Sequence, residues 1–257
     1  MFPPHPDVKV YSLQGDSRRL MRKDIGKRIR EVKAVVFDLD DTLVESTVDF
    51  PKFKGLVIDR IASYGEDRAD YSTNETVVAI IDRFESRMRR DGVHKAEIKR
   101  RLAELDKIMD DVEMERVSET SAYEGAQRLL ELLRESGIKI GVLTRGCGEY
   151  ANAALSKTGL LGLVDALECR NSNTRPKPDP EAYLKLVADL SVSKEQTVFV
   201  GDHPLDAQCA SNAGVPFIAV RTGDVPEEIL RRAGSVEVFK DVGELADWLG
   251  RTLSGIT

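Results

Sequence analysis

Residues 33–43 read KAVVFDLDDTL, and the way this run ends decides the fold class. Ala34 to Phe37 is a short, bounded apolar stretch rich in Val and Phe, the pattern of a buried strand in a parallel sheet. It runs directly into Asp38 and Asp40, two carboxylates one residue apart, with Thr42 following. In open α/β sheets, ligand chemistry lies just beyond the carboxyl ends of the strands, which is where both aspartates fall. Carboxylates this crowded repel one another unless a cation neutralises them. A hard ion that prefers oxygen ligands, Mg²⁺, is the natural candidate.

An acidic turn after any strand could also read DLDD, so the weight rests on three further segments in order. IKIGVLTRG, residues 138–146, predicts a strand from Ile138 to Leu143 that ends in Thr144. The Thr144 hydroxyl and the adjacent backbone N–H groups can point at a phosphate above the sheet edge. In TRPKPDP, prolines at 176, 178 and 180 stiffen the approach to Lys177, and Asp179-Pro180 opens a helix. TVFVGDHPLDA, residues 197–207, predicts a strand ending in Gly201-Asp202, with Asp206 four residues later at the start of another helix. Plainer readings exist for two of these groups. Lys177 could be an exposed lysine in a Pro-rich loop, and Asp206 a carboxylate favoured by the helix dipole.

Taken together, DLDDT, Thr144, Lys177 and GDHPLD resemble the haloacid dehalogenase superfamily, the aspartate-nucleophile phosphohydrolases, over residues 33–223. GAQRLLELLRESGIKIGVLTRG and NAGVPFIAVRTG are also similar to the family. Two positions depart from it: Arg145 stands where relatives often carry Asn, and His203 where a small hydroxyl residue is more usual. The resemblance implies an α/β, Rossmann-like parallel sheet with helices on both faces and a small α-helical cap. It implies a Mg²⁺-dependent phosphatase of a small phosphate monoester, with Asp38 as the nucleophile that forms an aspartyl phosphate. Asp40 would protonate the leaving oxygen and then deprotonate water, while its backbone carbonyl reaches the metal. Asp38 and Asp202 would complete the protein's metal ligands, with Asp206 at or just behind them. Thr144 and Lys177 would hold phosphoryl oxygens, with Thr42 and Arg145 also facing phosphate or substrate.

The same resemblance separates the alternatives. A halide leaves unprotonated, so Asp40 favours phosphoryl transfer over dehalogenation. β-Phosphoglucomutase relatives carry a His ten residues after their second Asp, where Phe50 stands here, which argues against a phosphomutase. LVESTVDF is similar to the segment after the first motif in phosphoglycolate-phosphatase-like enzymes, which points to a small phosphorylated metabolite. A non-catalytic module that binds a phospholigand or a protein on the same fold is the competing class, but a binder has no need of Asp40.

The whole chain sets wider bounds. Its 257 residues, 41% of them hydrophobic, can bury a sizeable core. Thirty-eight basic against 44 acidic residues give a net charge of −6, which argues against a nucleic-acid binder. With no apolar run of membrane-crossing length and no secretory h-region, a cytoplasmic enzyme is expected, as monomer or homodimer. Three scattered cysteines, at 147, 169 and 209, argue against a disulfide framework, and Cys147 reads as buried filler.

Three regions are expected: a basic amino-terminal extension over 1–32, a catalytic core over 33–45 and 120–257, and a helical cap over 46–119. In the extension, Leu20, Met21, Ile25, Ile29 and Val32 suit one face of a helix packing on the core edge. In the insertion, Val77, Val78, Ile80, Ile81, Phe84 and Met88 form an apolar stripe behind a capping box at Ser72-Thr73-Asn74-Glu75. A second stripe runs through Ile98, Leu102, Leu105, Ile108, Met109 and Val112. The core resumes with a helix from Gly125 to Ser136, stopped by Gly137, and strands at Thr197 to Val200 and Phe217 to Val220.

Overall fold

The computed structural model describes residues 25–254. The chain enters through α1 (residues 25–29) and passes into β1 (Ala34–Phe37), all four of whose side chains are buried. Burial on both faces needs a strand flanked by partners and covered above and below, and β1 lies mid-sheet. β2 (Val44–Glu45) leads into α2 (Phe50–Ser63), α3 (Val77–Arg90) and α4 (Lys95–Glu115), and β3 (Ser121–Ala122) returns the chain. Then α5 (Ala126–Glu135), β4 (Lys139–Leu143), α6 (Gly148–Lys157), β5 (Ala166–Glu168) and α7 (Glu181–Asp189) follow. β6 (Thr197–Gly201), α8 (Pro204–Ala213), β7 (Phe217–Val220), α9 (Glu227–Ala233), β8 (Glu237–Phe239) and α10 (Val242–Leu253) complete it.

The main sheet has six strands in the order β5-β4-β1-β6-β7-β8, every neighbouring pair parallel. Phe37 sits opposite Val142 of β4 and Val200 of β6, so these three strands end at one level. That register brings Asp38, Thr144 and Asp202 to a common edge. Alternation along β1 splits the core in two. Val35 and Phe37 pack with Leu129, Ala151 and Leu245 from α5, α6 and α10. Ala34 and Val36 face the other way, toward Tyr183, Ala210 and Leu230 of α7, α8 and α9.

The α2–α4 segment buries its own apolar set, including Phe53, Ile61, Ile80, Phe84, Leu105 and Met109. It joins the sheet domain through the antiparallel pair of β2 and β3, where Val44 faces Ala122. α3 does not start at the expected capping box. Its cap is Thr76, whose hydroxyl accepts from Ala79 N at 3.2 Å. Ser72 and Glu75 instead close a separate turn, Ser72 N donating to Glu75 Oε1 at 2.9 Å, and Arg83 pairs with the Glu75 carboxylate. Of the extension's apolar face, Ile25, Ile29 and Val32 join the main core, while Leu20 and Met21 lie outside the described residues. No helix among the described residues is long and apolar enough to cross a membrane.

Candidate active site

The turn that leaves β1 places the first group of residues. Asp41 takes a left-handed φ of 54°, a conformation Asp tolerates better than most side chains. Its N–H donates to Val44 O at 2.8 Å and its Oδ1 accepts from Ser46 N at 3.3 Å, folding the chain back toward β2. Asp38 is thereby left at the strand end, nearly buried. Lys177, 3% exposed, donates from Nζ to Asp38 Oδ1 and, at 2.7 Å, to Asp206 Oδ1. The second Asp206 oxygen accepts from His203 N at 3.1 Å and closes the capping box of α8. Both Asp206 oxygens therefore take protein donors.

Asp202, at the end of β6, completes a buried cluster with Asp38 and Asp206, with one oxygen from each within 4.8 Å of the others. One ammonium cannot balance three carboxylates. Burial pushes Asp38 up to about 7, Lys177 pulls it back, and Asp206 and Asp40 add to the rise. Lys177 therefore does not by itself hold Asp38 low, as its pairing alone would suggest. Burial, with Asp38, Asp206 and Asp41, pushes Asp202 up to about 9. Lys177 shows the converse: burial works to lower it, but Asp206 and Asp38 outweigh burial and raise it. Buried, oxygen-only and short of positive charge, this donor set suits a hard divalent cation such as Mg²⁺.

Thr42 is placed differently from the expectation. It is wholly buried and donates from Oγ1 to Asp202 Oδ1 at 3.1 Å, so it orients that carboxylate rather than facing a ligand. The other Asp202 oxygen lies against Gly223, where a Cβ would overlap it. The loop bearing Gly223 is held in turn by Tyr123, whose hydroxyl donates to Thr222 O at 3.2 Å.

Asp40 faces hydroxyls instead, among them that of Ser46. Tyr150 on α6 donates to its Oδ1, and Thr144 Oγ1 reaches its Oδ2 at 3.4 Å. Burial raises the Asp40 carboxyl above the usual range, and the Tyr150 hydrogen bond opposes that. Sequence reasoning missed Tyr150. Its signal is a single polar-tipped aromatic on the buried face of α6, otherwise lined by Ala151, Ala154 and Leu155.

The loop after Thr144 is already well bonded. Thr144 N donates to Glu168 O at 3.0 Å, and Gly146 N to Thr144 Oγ1 at 2.9 Å. Cys147 N donates to Glu113 Oε2 at 2.9 Å, and Gly148 N to Asn171 Oδ1 at 3.0 Å. Among the described residues, the backbone N–H groups of Leu39, Asp40 and Arg145 and the Arg145 guanidinium have no hydrogen-bond partner. Cys147 is buried, and desolvation pushes its thiol up to about 12.

The chain as a whole is similar to known proteins. The family pattern described as haloacid dehalogenase-like hydrolase matches residues 35–220. The chain is 30% identical over 220 residues to a phosphoglycolate phosphatase of Rhodospirillum rubrum, covering 85% of this chain and 91% of that one. It is 28% identical over 241 residues to an N-acetylmuramic acid 6-phosphate phosphatase of Pseudomonas aeruginosa, covering 88% and 98%. Among solved structures, a Bacteroides vulgatus protein described as a β-phosphoglucomutase superposes with a TM-score of 0.62 at 20% identity, covering 93% and 98%. At that identity the likeness is one of fold.

Proposed function

The chain belongs to the haloacid dehalogenase-like hydrolases, and from that membership we propose that it is a Mg²⁺-dependent phosphatase of a small phosphate monoester. The observation that carries this reading is the division of labour at the end of β1. Asp38 is gripped by Lys177, while Asp40, two residues on, is held by Tyr150 and Thr144. Asp38 attacks phosphorus, the bond to the ester oxygen breaks, and Asp40 delivers a proton to that oxygen. Asp40 then takes a proton from the water that attacks the aspartyl phosphate, releasing inorganic phosphate and restoring Asp38. Thr144, Lys177 and the unpartnered amides of Leu39, Asp40 and Arg145 hold the phosphoryl oxygens as charge develops.

Asp38, Asp202 and the backbone carbonyl of Asp40 would hold Mg²⁺, with Asp206 just behind them securing Lys177. When bound, the ion offsets the carboxylate charge and stabilises the phosphoryl oxygens. Residues 46–119 act as a cap over a core formed by 33–45 and 120–257. Arg145 faces the substrate, which is a small phosphorylated metabolite, as the names of the relatives suggest. Three buried free thiols, Cys147, Cys169 and Cys209, fit a reducing cytoplasm.

The test is p-nitrophenyl phosphate turnover with Mg²⁺, without it and with EDTA, followed by a panel of phosphorylated metabolites. Mg²⁺-dependent release of inorganic phosphate is expected. Transfer of the phosphoryl group to a second hydroxyl of the same sugar would identify a mutase, and absence of any turnover would identify a binding module.

A further inference from the structure

Glu113 lies on α4, in the helical insertion, yet its carboxylate is 5% exposed and bonds to the core. Its Oε2 accepts from the backbone N–H of Cys147 at 2.9 Å and from Arg170 Nη2 at 3.1 Å, and its Oε1 accepts from Arg170 Nη1. Arg170, just after β5, also donates from Nη1 to Arg145 O at 3.2 Å and from Nη2 to Asp110. Its backbone N–H donates to Gly146 O at 3.0 Å. Three consecutive residues of the loop after Thr144 are thus pinned by one arginine of the core and one carboxylate of the insertion.

A buried ion pair is a poor source of net stability, because desolvating both charges consumes most of their attraction. A surface-packed helix needs no such pair to dock. Geometric control of the loop is the better account of it. We propose that Glu113 and Arg170 are a positioning pair that makes the phosphate-binding form of loop 145–147 depend on the docked position of α4. Neither touches the phosphoryl group. Glu113 fixes where the Cys147 amide points, Arg170 fixes the carbonyls of Arg145 and Gly146, and together they orient the Arg145 N–H and guanidinium. The same anchor sets the first turn of α6, which carries Tyr150 to Asp40. Docking the insertion and completing the site become one event. This inference rests on the phosphatase reading above.

Two substitutions separate positioning from simple support. Glu113→Gln keeps an amide oxygen that can accept from Cys147 N–H but removes the charge opposite Arg170. Glu113→Ala removes both. Each is measured for thermal midpoint, for KM and kcat on p-nitrophenyl phosphate, and for protection by inorganic phosphate against thermal unfolding. Both variants should melt lower than the parent, by similar amounts. KM and the half-protecting phosphate concentration should rise about tenfold in Glu113→Ala, the loss of one charge-assisted hydrogen bond, and stay within about threefold in Glu113→Gln. kcat should change less than KM in both. Equal KM values in the two variants and the parent, with lowered melting, would reduce the pair to a structural one and overturn the proposal.

If Glu113→Ala does not fold, Arg170→Lys serves instead. It keeps a charge for Glu113 but cannot fork to Arg145 O, so KM should still rise several-fold, and an unchanged KM overturns the proposal as well. Phosphate protection is read without turnover. A parent protein protected by phosphate but inactive would defeat the phosphatase reading while leaving the positioning role open to the same protection measurement in the variants.

Discussion

Asp38 and Asp40 leave the same strand end but stand in opposite surroundings, and each residue-scale prediction follows from that contrast. Asp38 faces an ammonium and other carboxylates; Asp40 faces the hydroxyls of Tyr150, Thr144 and Ser46. Asp38→Asn keeps size and removes the attacking anion, so turnover should fall to background while far-UV circular dichroism is unchanged. Tyr150→Phe leaves Asp40 with the 3.4 Å contact from Thr144 and the Ser46 side chain, so on the proposed mechanism the proton-donating carboxyl is held less firmly. kcat on alkyl phosphates should drop about tenfold or more, and less on p-nitrophenyl phosphate, whose leaving group needs no proton. An equal loss on both would remove Tyr150 from the acid's support. The cluster also predicts a pH dependence. Asp202 is raised from 3.8 to about 9, so without metal the folded state holds a proton that the unfolded chain has lost. Stability of the metal-free protein should therefore decline as pH rises across that window. Mg²⁺ competes with the same proton, so the rise in melting temperature on adding it should be larger near pH ~8.5 than near pH ~6. A larger effect at the lower pH would contradict the assignment of Asp202 as a ligand.

At the scale of elements, what could be read from the sequence was what a short window contains. β1, β4, β6 and β7 are bounded apolar runs, and the parallel register brings the ends of β1, β4 and β6 to one level. Asp38, Thr144 and Asp202 were therefore recognisable from their place after a strand. β5 and β8 are three residues each, too short for periodicity to distinguish them from loop. Tyr150 and Glu113 could not be found this way, because their partners, Asp40 and Arg170, lie 110 and 57 residues away and on other elements. The bond from Thr42 to Asp202 was hidden for a related reason: the sequence shows a hydroxyl close to Asp38 and Asp40 but not which way it points. The start of α3 was a competition between neighbours, since Ser72 with Glu75 and Thr76 both carry capping chemistry. Thr76 holds the helix, so Thr76→Ala should cost about 1 kcal/mol in chemical denaturation. Ser72→Ala, away from the helix start, should cost less, and the reverse order would mean that the helix frays back to the earlier turn.

Across the whole molecule, the helical insertion is both separate from the sheet domain and attached to its chemistry. Its buried apolar side chains pack among themselves, and near the neck Val48, Met114 and Val117 lean on the main cluster. The sheet keeps both of its own core clusters without it. Replacing residues 50–118 with a short Gly/Ser linker should therefore leave a folded core that still carries Asp38, Asp40, Thr144, Lys177 and Asp202. Two losses should follow, and they have different physical origins. Selectivity among metabolites should collapse if the insertion acts as the proposed cap, whose walls would meet the leaving group and exclude water. KM for p-nitrophenyl phosphate should rise by about the factor seen in Glu113→Ala, because the acceptor for Cys147 N–H has gone with α4. The second loss can be isolated by a cycle. In the full chain Arg170→Met should raise KM, whereas in the capless protein it should do so much less, since Arg170 has already lost Glu113 and Asp110. Additive effects in the two backgrounds would show that Arg170 acts on loop 145–147 without the insertion. A capless protein that still ranks natural substrates as the full chain does would move selectivity into the core, where the Arg145 side chain is a candidate to meet the substrate.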